Sequence, residues 1–238
     1  MTRILITAFE PYDRWPANSS WLALTDLTRW YDGDAEITTR RYPVDLSRMS
    51  ESLRKDLQEN FDFAIHLGQS PGSTLIKLES VGLNVRSNGS PLIANAPEAY
   101  RSSLPLDHCN RALIAAGIPS EVSHHAGTYL CNAALYLSQH YSQSYGLRTK
   151  SLFLHIPLAP AQAAADKGTP ASISTPMASA AIAMVIQHLQ MDAACGQRES
   201  TKKKTPATKS LTFCLLNRVS EAYCVSGLKP VCRTSSSS

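Results

Sequence analysis

Ser120-Glu121-Val122-Ser123-His124-His125-Ala126-Gly127-Thr128-Tyr129-Leu130-Cys131-Asn132-Ala133-Ala134-Leu135-Tyr136 reads as a short strand, a glycine turn and the start of a helix. Leu130, Ala133, Ala134, Leu137 and Tyr141 follow the spacing of one apolar helix face. Thr128 is the expected N-cap. A helix over 128–141 puts Cys131 in the first turn, where unpaired N–H groups and the positive end of the helix dipole favour thiolate, the nucleophilic form. The competing reading is a small buried cysteine that only packs.

Outward from this unit the same alternation continues. Strand-like runs occupy 3–9, 36–42, 61–67 and 151–158, and 74–84 reads as a strand or hairpin arm. Helical patterns occupy 20–29, capped by Asn18 or Ser19, 47–60, capped by Ser47, 107–116 and 175–189. Strands alternating with helices predict an α/β fold with a largely parallel central sheet covered on both faces. Segments 85–106 and 159–174, with their Pro, Asn, Gly and Ser, read as loops over the sheet edge.

The 238 residues suffice for one sizeable α/β domain or two small ones. The net charge of +4 is unevenly spread: residues 1–191 hold 15 Lys+Arg against 16 Asp+Glu, whereas 192–238 hold 8 against 3. The near-neutral body gives no reason to expect nucleic-acid binding. The expected organisation is a body over 1–191 and a basic, Cys- and Ser-rich, loosely ordered tail over 192–238. The tail has no His and no Cys-x-x-Cys, which makes it a poor zinc site. Cys109 and Cys131, the only cysteines of the body, suit a reducing compartment better than a disulfide scaffold. The N-terminal apolar run is too short for a signal peptide and reads as a buried strand. No run approaches the ~20 apolar residues of a membrane span. The expectation is a soluble cytoplasmic protein.

Thiol-based hydrolysis needs a base beside the thiolate and a group that orients the base. His66 and His155 both fall at the C-terminal ends of predicted strands, the edge where open α/β sheets bind ligands. His124 and His125 precede the Gly127 turn, whereas His140 and His188 sit in amphipathic helices. Glu79 stands among apolar neighbours on the face shared by Leu75, Lys77, Val81 and Leu83. It pairs with Lys77, faces a cleft, or is a solvated strand residue.

Five segments together resemble the pyroglutamyl peptidase I family of cysteine peptidases, from residue 3 to about 190. They are Thr7-Ala8-Phe9-Glu10-Pro11-Tyr12 with Asn18-Ser19-Ser20, Leu67-Gly68-Gln69, Leu78-Glu79-Ser80-Val81-Gly82-Leu83-Asn84, Ala126-Gly127-Thr128-Tyr129-Leu130-Cys131-Asn132, and Phe153-Leu154-His155-Ile156-Pro157. Order and spacing agree as well as the residues. The resemblance implies a three-layer α/β/α sandwich of the phosphorylase/hydrolase-like type, without metal or cofactor. It implies Cys131 as nucleophile, His155 as base and then acid, and Glu79 as the holder of the imidazole. Phe9, Tyr12, Tyr129 and Leu130 would wall an apolar slot for the pyrrolidone ring. Gln69 would meet the lactam through its backbone, and Asn18 would buttress the slot. Arg86 stands where a shortened segment, Val85-Arg86-Ser87-Asn88-Gly89-Ser90-Pro91, replaces a longer family string. It is a candidate stand-in for the family's arginine, joining the N–H groups around Cys131 as oxyanion donors. Ala8 and Tyr12 also depart from the family's Gly and Phe. The implied partners are N-terminally pyroglutamylated peptides, with a homo-oligomer left open. Two alternatives remain open: a hydrolase of the same fold with another small-ring or amide substrate, and a non-catalytic binding homologue.

Overall fold

Strand β1 (Arg3–Phe9) is buried on both sides, and its period of two sends Ile4, Ile6 and Ala8 to one core and Leu5 and Phe9 to another. A strand apolar on both faces must lie between two helical layers. The computed structural model describes residues 1–166, 168 and 170–202, with side chains through residue 194. The expected loose tail lies outside the described residues from 203 onward. Met1–Cys195 forms one compact unit, to which both sheets and the residues that cover them belong.

After β1 come α1 (Ser19–Trp30), β2 (Glu36–Tyr42), α2 (Leu46–Leu57), β3 (Phe63–Gln69), β4 (Ile76–Glu79), β5 (Val81–Leu83), β6 (Ala99–Arg101), α3 (Leu106–Ala115), β7 (Ser120–Ser123), α4 (Leu130–Ser144), β8 (Lys150–Ile156), α5 (Pro160–Ala165) and α6 (Thr175–Lys202). The main sheet has the order β2-β1-β3-β8-β4-β7. All neighbours are parallel except β4 and β8, which pair antiparallel. One face is covered by α1, α3 and α6, through residues such as Leu24, Leu113 and Ile182. The other is covered by α2 and α4, through Met49, Leu53, Ala134 and Leu137. The architecture is therefore the expected α/β/α sandwich, with a mixed, mostly parallel sheet.

Several local expectations change. The 74–84 run breaks at Ser80 into β4 and β5, which belong to different sheets; β5 pairs with β6 in a two-stranded ribbon. Both expected loops hold structure: β6 in the first and α5 in the second. The cap of α2 is Asp45 rather than Ser47, its side chain accepting from Arg48 N at 2.8 Å. Asn18 caps α1, accepting from Ser20 N. The last helix runs well beyond 189. Gly82 lets β5 lie directly on α4, because a Cβ there would stand 2.6 Å from the Tyr136 backbone nitrogen. Among the described residues no helix is long and apolar enough to cross a membrane.

Candidate active site

The strand registers bring the expected site residues together. Gly68 on β3 lies opposite His155 on β8, and Lys77 on β4 lies opposite His155 from the other side. Glu79 is two residues along β4 from Lys77, so its side chain leans diagonally toward the imidazole on the same face. That face is the one covered by α4, which carries Cys131.

Helix α4 starts at Leu130, two residues later than the expected 128. Gly127, at φ 79°, makes the left-handed turn, and Tyr129 rather than Thr128 occupies the N-cap position. No side chain caps the helix, so the N–H groups of its first turn remain free to face the pocket. Cys131 is the second helical residue. Gly68 is required beneath it: a Cβ at that position would stand 2.5 Å from Phe153 Cζ and 3.1 Å from Cys131 Sγ.

His155 Nδ1 and Glu79 Oε1 are 2.8 Å apart, and Glu79 is only 1% exposed. The Cys131 thiol lines the same pocket as this imidazole and is near enough to act on its charge. Burial alone would lower the His155 pKa, but Cys131 and Glu79 together outweigh it and push it up to about 9. Burial works against the Glu79 carboxylate too, yet the His155 hydrogen bond, Ser123 and Lys77 leave it below its ordinary value. Ser123 is its register partner on β7. Glu79 Oε2 nonetheless has no well-formed hydrogen bond among the described residues.

A pocket of about 430 Å³ opens over these three residues. Phe9, Tyr12, Tyr129 and Leu130 supply apolar walls, and Asn18 and Gln69 reach it as well. Gln69 Oε1 accepts from Ser19 N and from Gln162 Nε2, both at 2.8 Å, while its Nε2 has no partner among the described residues. Asn18 supports this wall by donating to Glu10 O and by accepting from Ser20 N and Oγ. Burial and the neighbouring Cys131 raise the Tyr12 pKa. Tyr129 is 68% exposed at the mouth.

Other expected residues are placed elsewhere. Arg86 is not among the residues that line this pocket; it lines an adjoining hollow that shares Val44, Tyr129 and Leu130 with it. His66 is fully buried inside β3 rather than at its end, where Thr7 Oγ1 meets its Nδ1 at 2.8 Å and burial pushes its pKa down to about 3. His124 bonds to Ser80, and only His125 of that pair reaches the pocket. Gln162 was not legible from its sequence context, a segment read as loop. It sits on α5, where its Oε1 accepts from Ala159 N and its Nε2 donates to Ala17 O and Gln69 Oε1. Among the described residues no group of three His, Cys, Asp or Glu side chains is arranged to hold a metal ion.

A family model described as Pyroglutamyl peptidase matches residues 2–191. Among similar proteins, the pyrrolidone-carboxylate peptidase of Pyrococcus furiosus is 35% identical over 172 residues, covering 67% of this chain and 83% of that protein. The pyrrolidone-carboxylate peptidase of Pectobacterium carotovorum is 35% identical over 199 residues, covering 79% of this chain and 92% of that protein. Among solved structures, a mutant pyrrolidone carboxyl peptidase from Pyrococcus furiosus superposes with a TM-score of 0.74 at 32% identity, covering 81% of this chain and 100% of that one. The pyrrolidone carboxyl peptidase of Fervidobacterium islandicum gives 0.76 at 29% identity, covering 80% of this chain and 99% of that one.

Proposed function

The chain belongs to the pyroglutamyl peptidase family, and on that premise we propose that Cys131, His155 and Glu79 carry its reaction. It is a cysteine peptidase that removes N-terminal pyroglutamate. The single observation that supports the residue assignment is the Glu79–His155 hydrogen bond in the same pocket as the Cys131 thiol, which is near enough to act on the imidazole's charge.

Glu79 accepts from Nδ1–H of His155, which fixes the ring and directs its other nitrogen toward Cys131. The imidazole takes the thiol proton, and the raised His155 pKa favours the resulting imidazolium beside a thiolate. The sulfur attacks the pyroglutamyl carbonyl carbon. The oxyanion meets the uncapped N–H groups at the start of α4. His155 then protonates the leaving amine, and the amide C–N bond breaks to leave a pyroglutamyl thioester. Water, activated by the neutral imidazole, attacks the thioester and releases pyroglutamate and the free thiol.

Selectivity follows from the walls. A pyroglutamyl ring carries no ammonium and suits a slot of Phe9, Tyr12, Tyr129 and Leu130 with a few hydrogen bonds at Gln69 and, behind it, Asn18. An ordinary charged N-terminus would lose its hydration there without a partner. Arg86 stands beside the slot and not in it, so it contacts the substrate beyond the ring rather than at the reacting carbonyl. Two free cysteines among the described residues, Cys109 and Cys131, fit work in a reducing compartment such as the cytoplasm.

The test is release of a chromogenic amine from a pyroglutamyl amide. Cys131→Ser is expected to abolish turnover with an unchanged thermal midpoint, whereas Cys109→Ser, which alters a buried thiol of the opposite core, keeps it. Turnover by Cys131→Ser equal to that of the unaltered protein would overturn the assignment.

A further inference from the structure

A second hollow, of about 270 Å³, opens beside the Cys131 pocket and shares Val44, Tyr129 and Leu130 with it. Leu130 is the first residue of α4, and Ala133, one turn on, lines the same hollow. The two spaces therefore share a wall at the helix end that carries Cys131.

The other wall is fixed by Asn132. This side chain is fully buried and adjoins Cys131 in sequence. It accepts from Leu83 N at 2.8 Å and donates to Leu83 O at 2.9 Å and Val85 O at 3.2 Å. The residue after Cys131 is thus tied to the residue before Arg86. The Arg86 backbone is then held in a turn, donating to Ser90 O at 2.8 Å and accepting from Gly89 N at 2.9 Å. Its guanidinium makes one long contact, from Nη2 to Leu92 O at 3.4 Å. Among the described residues no carboxylate pairs with it. The hollow's acidic residue, Asp45, already accepts from Arg48 N at the head of α2. The hollow thus holds one carboxylate, Asp45, engaged at the head of α2, and one guanidinium without a carboxylate partner among the described residues, presented as the planar fork that suits a carboxylate.

We propose that this hollow receives the leaving side of the substrate and that Arg86 reads a carboxylate there, giving preference to pyroglutamyl peptides with an acidic group just beyond the scissile bond. This rests on the assignment of Cys131 as the attacking group. With the ring held at Phe9, Tyr12 and Gln69 and the carbonyl at Cys131, the rest of the peptide must leave the pocket, and the hollow that adjoins it across Tyr129 and Leu130 is the one that holds Arg86. The carboxylate can be the chain end of a pyroglutamyl dipeptide or an acidic side chain.

The full chain is assayed on two substrate pairs. Pyroglutamyl-alanine against pyroglutamyl-alaninamide reports a chain-end carboxylate. Pyroglutamyl-glutamyl-alaninamide against pyroglutamyl-glutaminyl-alaninamide reports a side-chain one. The readout is the ratio of kcat/KM within each pair, so any change common to both substrates cancels. The expected ratio favours the carboxylate about two- to fivefold in at least one pair, the range an exposed ion pair supports, and falls as salt is added. Arg86→Gln brings it to about 1 by removing that attraction, and Arg86→Glu inverts it. A ratio of one or below in both pairs, or a preference that survives Arg86→Gln, overturns the proposal. So does a loss in Arg86→Gln that is equal for all four substrates, which would place Arg86 at the reacting centre. Failure of the Cys131 assignment is separate, because it shows as turnover by Cys131→Ser whatever the leaving group.

Discussion

Replacing Glu79 by Gln should move the alkaline limit of activity downward by about one pH unit, and the structure sets that magnitude. The carboxylate is 1% exposed and 2.8 Å from His155 Nδ1. Glu79 Oε2 has no well-formed hydrogen bond among the described residues, so a Gln amide nitrogen can take its place while Oε1 still accepts from Nδ1–H. The tautomer of the imidazole is therefore kept, and only the charge is lost. A hydrogen bond to a charged group contributes about 1.5–3 kcal/mol and a neutral one about 0.5–1.5. The difference, about 1–1.5 kcal/mol, corresponds to about one pKa unit. The sign follows from what Glu79 does: it favours imidazolium, so removing its charge lowers the His155 pKa from about 9. Imidazolium is the acid for the leaving amine, so kcat/KM should begin to fall near pH 8 rather than 9, about one unit earlier. The assay is the pH profile of kcat/KM on a neutral pyroglutamyl amide, with a thermal melt at each pH to exclude unfolding. An alkaline limb that stays in place or moves upward would refute the reasoning. A loss equal at every pH would show that Glu79 only holds the ring and does not tune it.

Gly68→Ala should cost about tenfold or more in kcat, because a Cβ 2.5 Å from Phe153 Cζ and 3.1 Å from Cys131 Sγ must shift one of them. Steady-state kinetics with a melting curve check it, and a fully active variant would show that the sheet relaxes freely there. Gln162→Leu leaves Gln69 Oε1 with one donor fewer and Ala17 O and Ala159 N without this partner. The expected outcome is a raised KM for pyroglutamyl substrates at near-constant kcat, with about 1–3 kcal/mol lost in stability. An unchanged KM would show that the lock on Gln69 has no bearing on the ring.

The layered fold was legible because strand and helix periods are local signals, whereas Cys131, His155 and Glu79 were singled out together by the five-segment resemblance and not by periodicity. β1, β2 and β7 have the bounds read from alternation, and α4 departs from its predicted start by two residues. What was hidden came from tertiary context. The Asp45 cap on α2 could not be told from Ser47 because both residue types accept from a helix N-terminus. The Pro160-Ala161-Gln162-Ala163-Ala164-Ala165 turn of helix is rich in the best helix former, yet its neighbourhood of Pro, Gly and Ser reads as loop. Without α5 there was no way to see Gln162 behind Gln69. Placing β3 two residues later than its apolar run suggests moved His66 from the sheet edge to the interior and put Gly68 and Gln69 at the edge instead. The place of Arg86, in the adjoining hollow, could not be read because it depends on how the shortened loop after β5 is anchored, and the anchor is a side chain on another element, Asn132.

Strand direction was the largest unreadable quantity, and it decides the environment of Glu79. Alternating strands and helices suggest a largely parallel sheet, and a parallel β4 would put the carboxylate at its end on the open rim, level with the pocket mouth. The antiparallel pairing of β4 with β8 reverses this. Lys77 takes the position opposite His155, near the rim, where it reaches Glu121 at 3.5 Å. Glu79 falls opposite Phe153, two residues deeper, behind the imidazole as seen from the pocket. There it is screened from water by β7 and by the ring it binds, so its charge acts on His155 through a medium of low polarisability. Among the readings that the residues alone left open for Glu79, a Lys77 pair, a cleft or a solvated strand face, the register selects the cleft side. It also explains why one hydrogen bond to a buried carboxylate, together with the thiol, outweighs the burial that would otherwise keep His155 neutral.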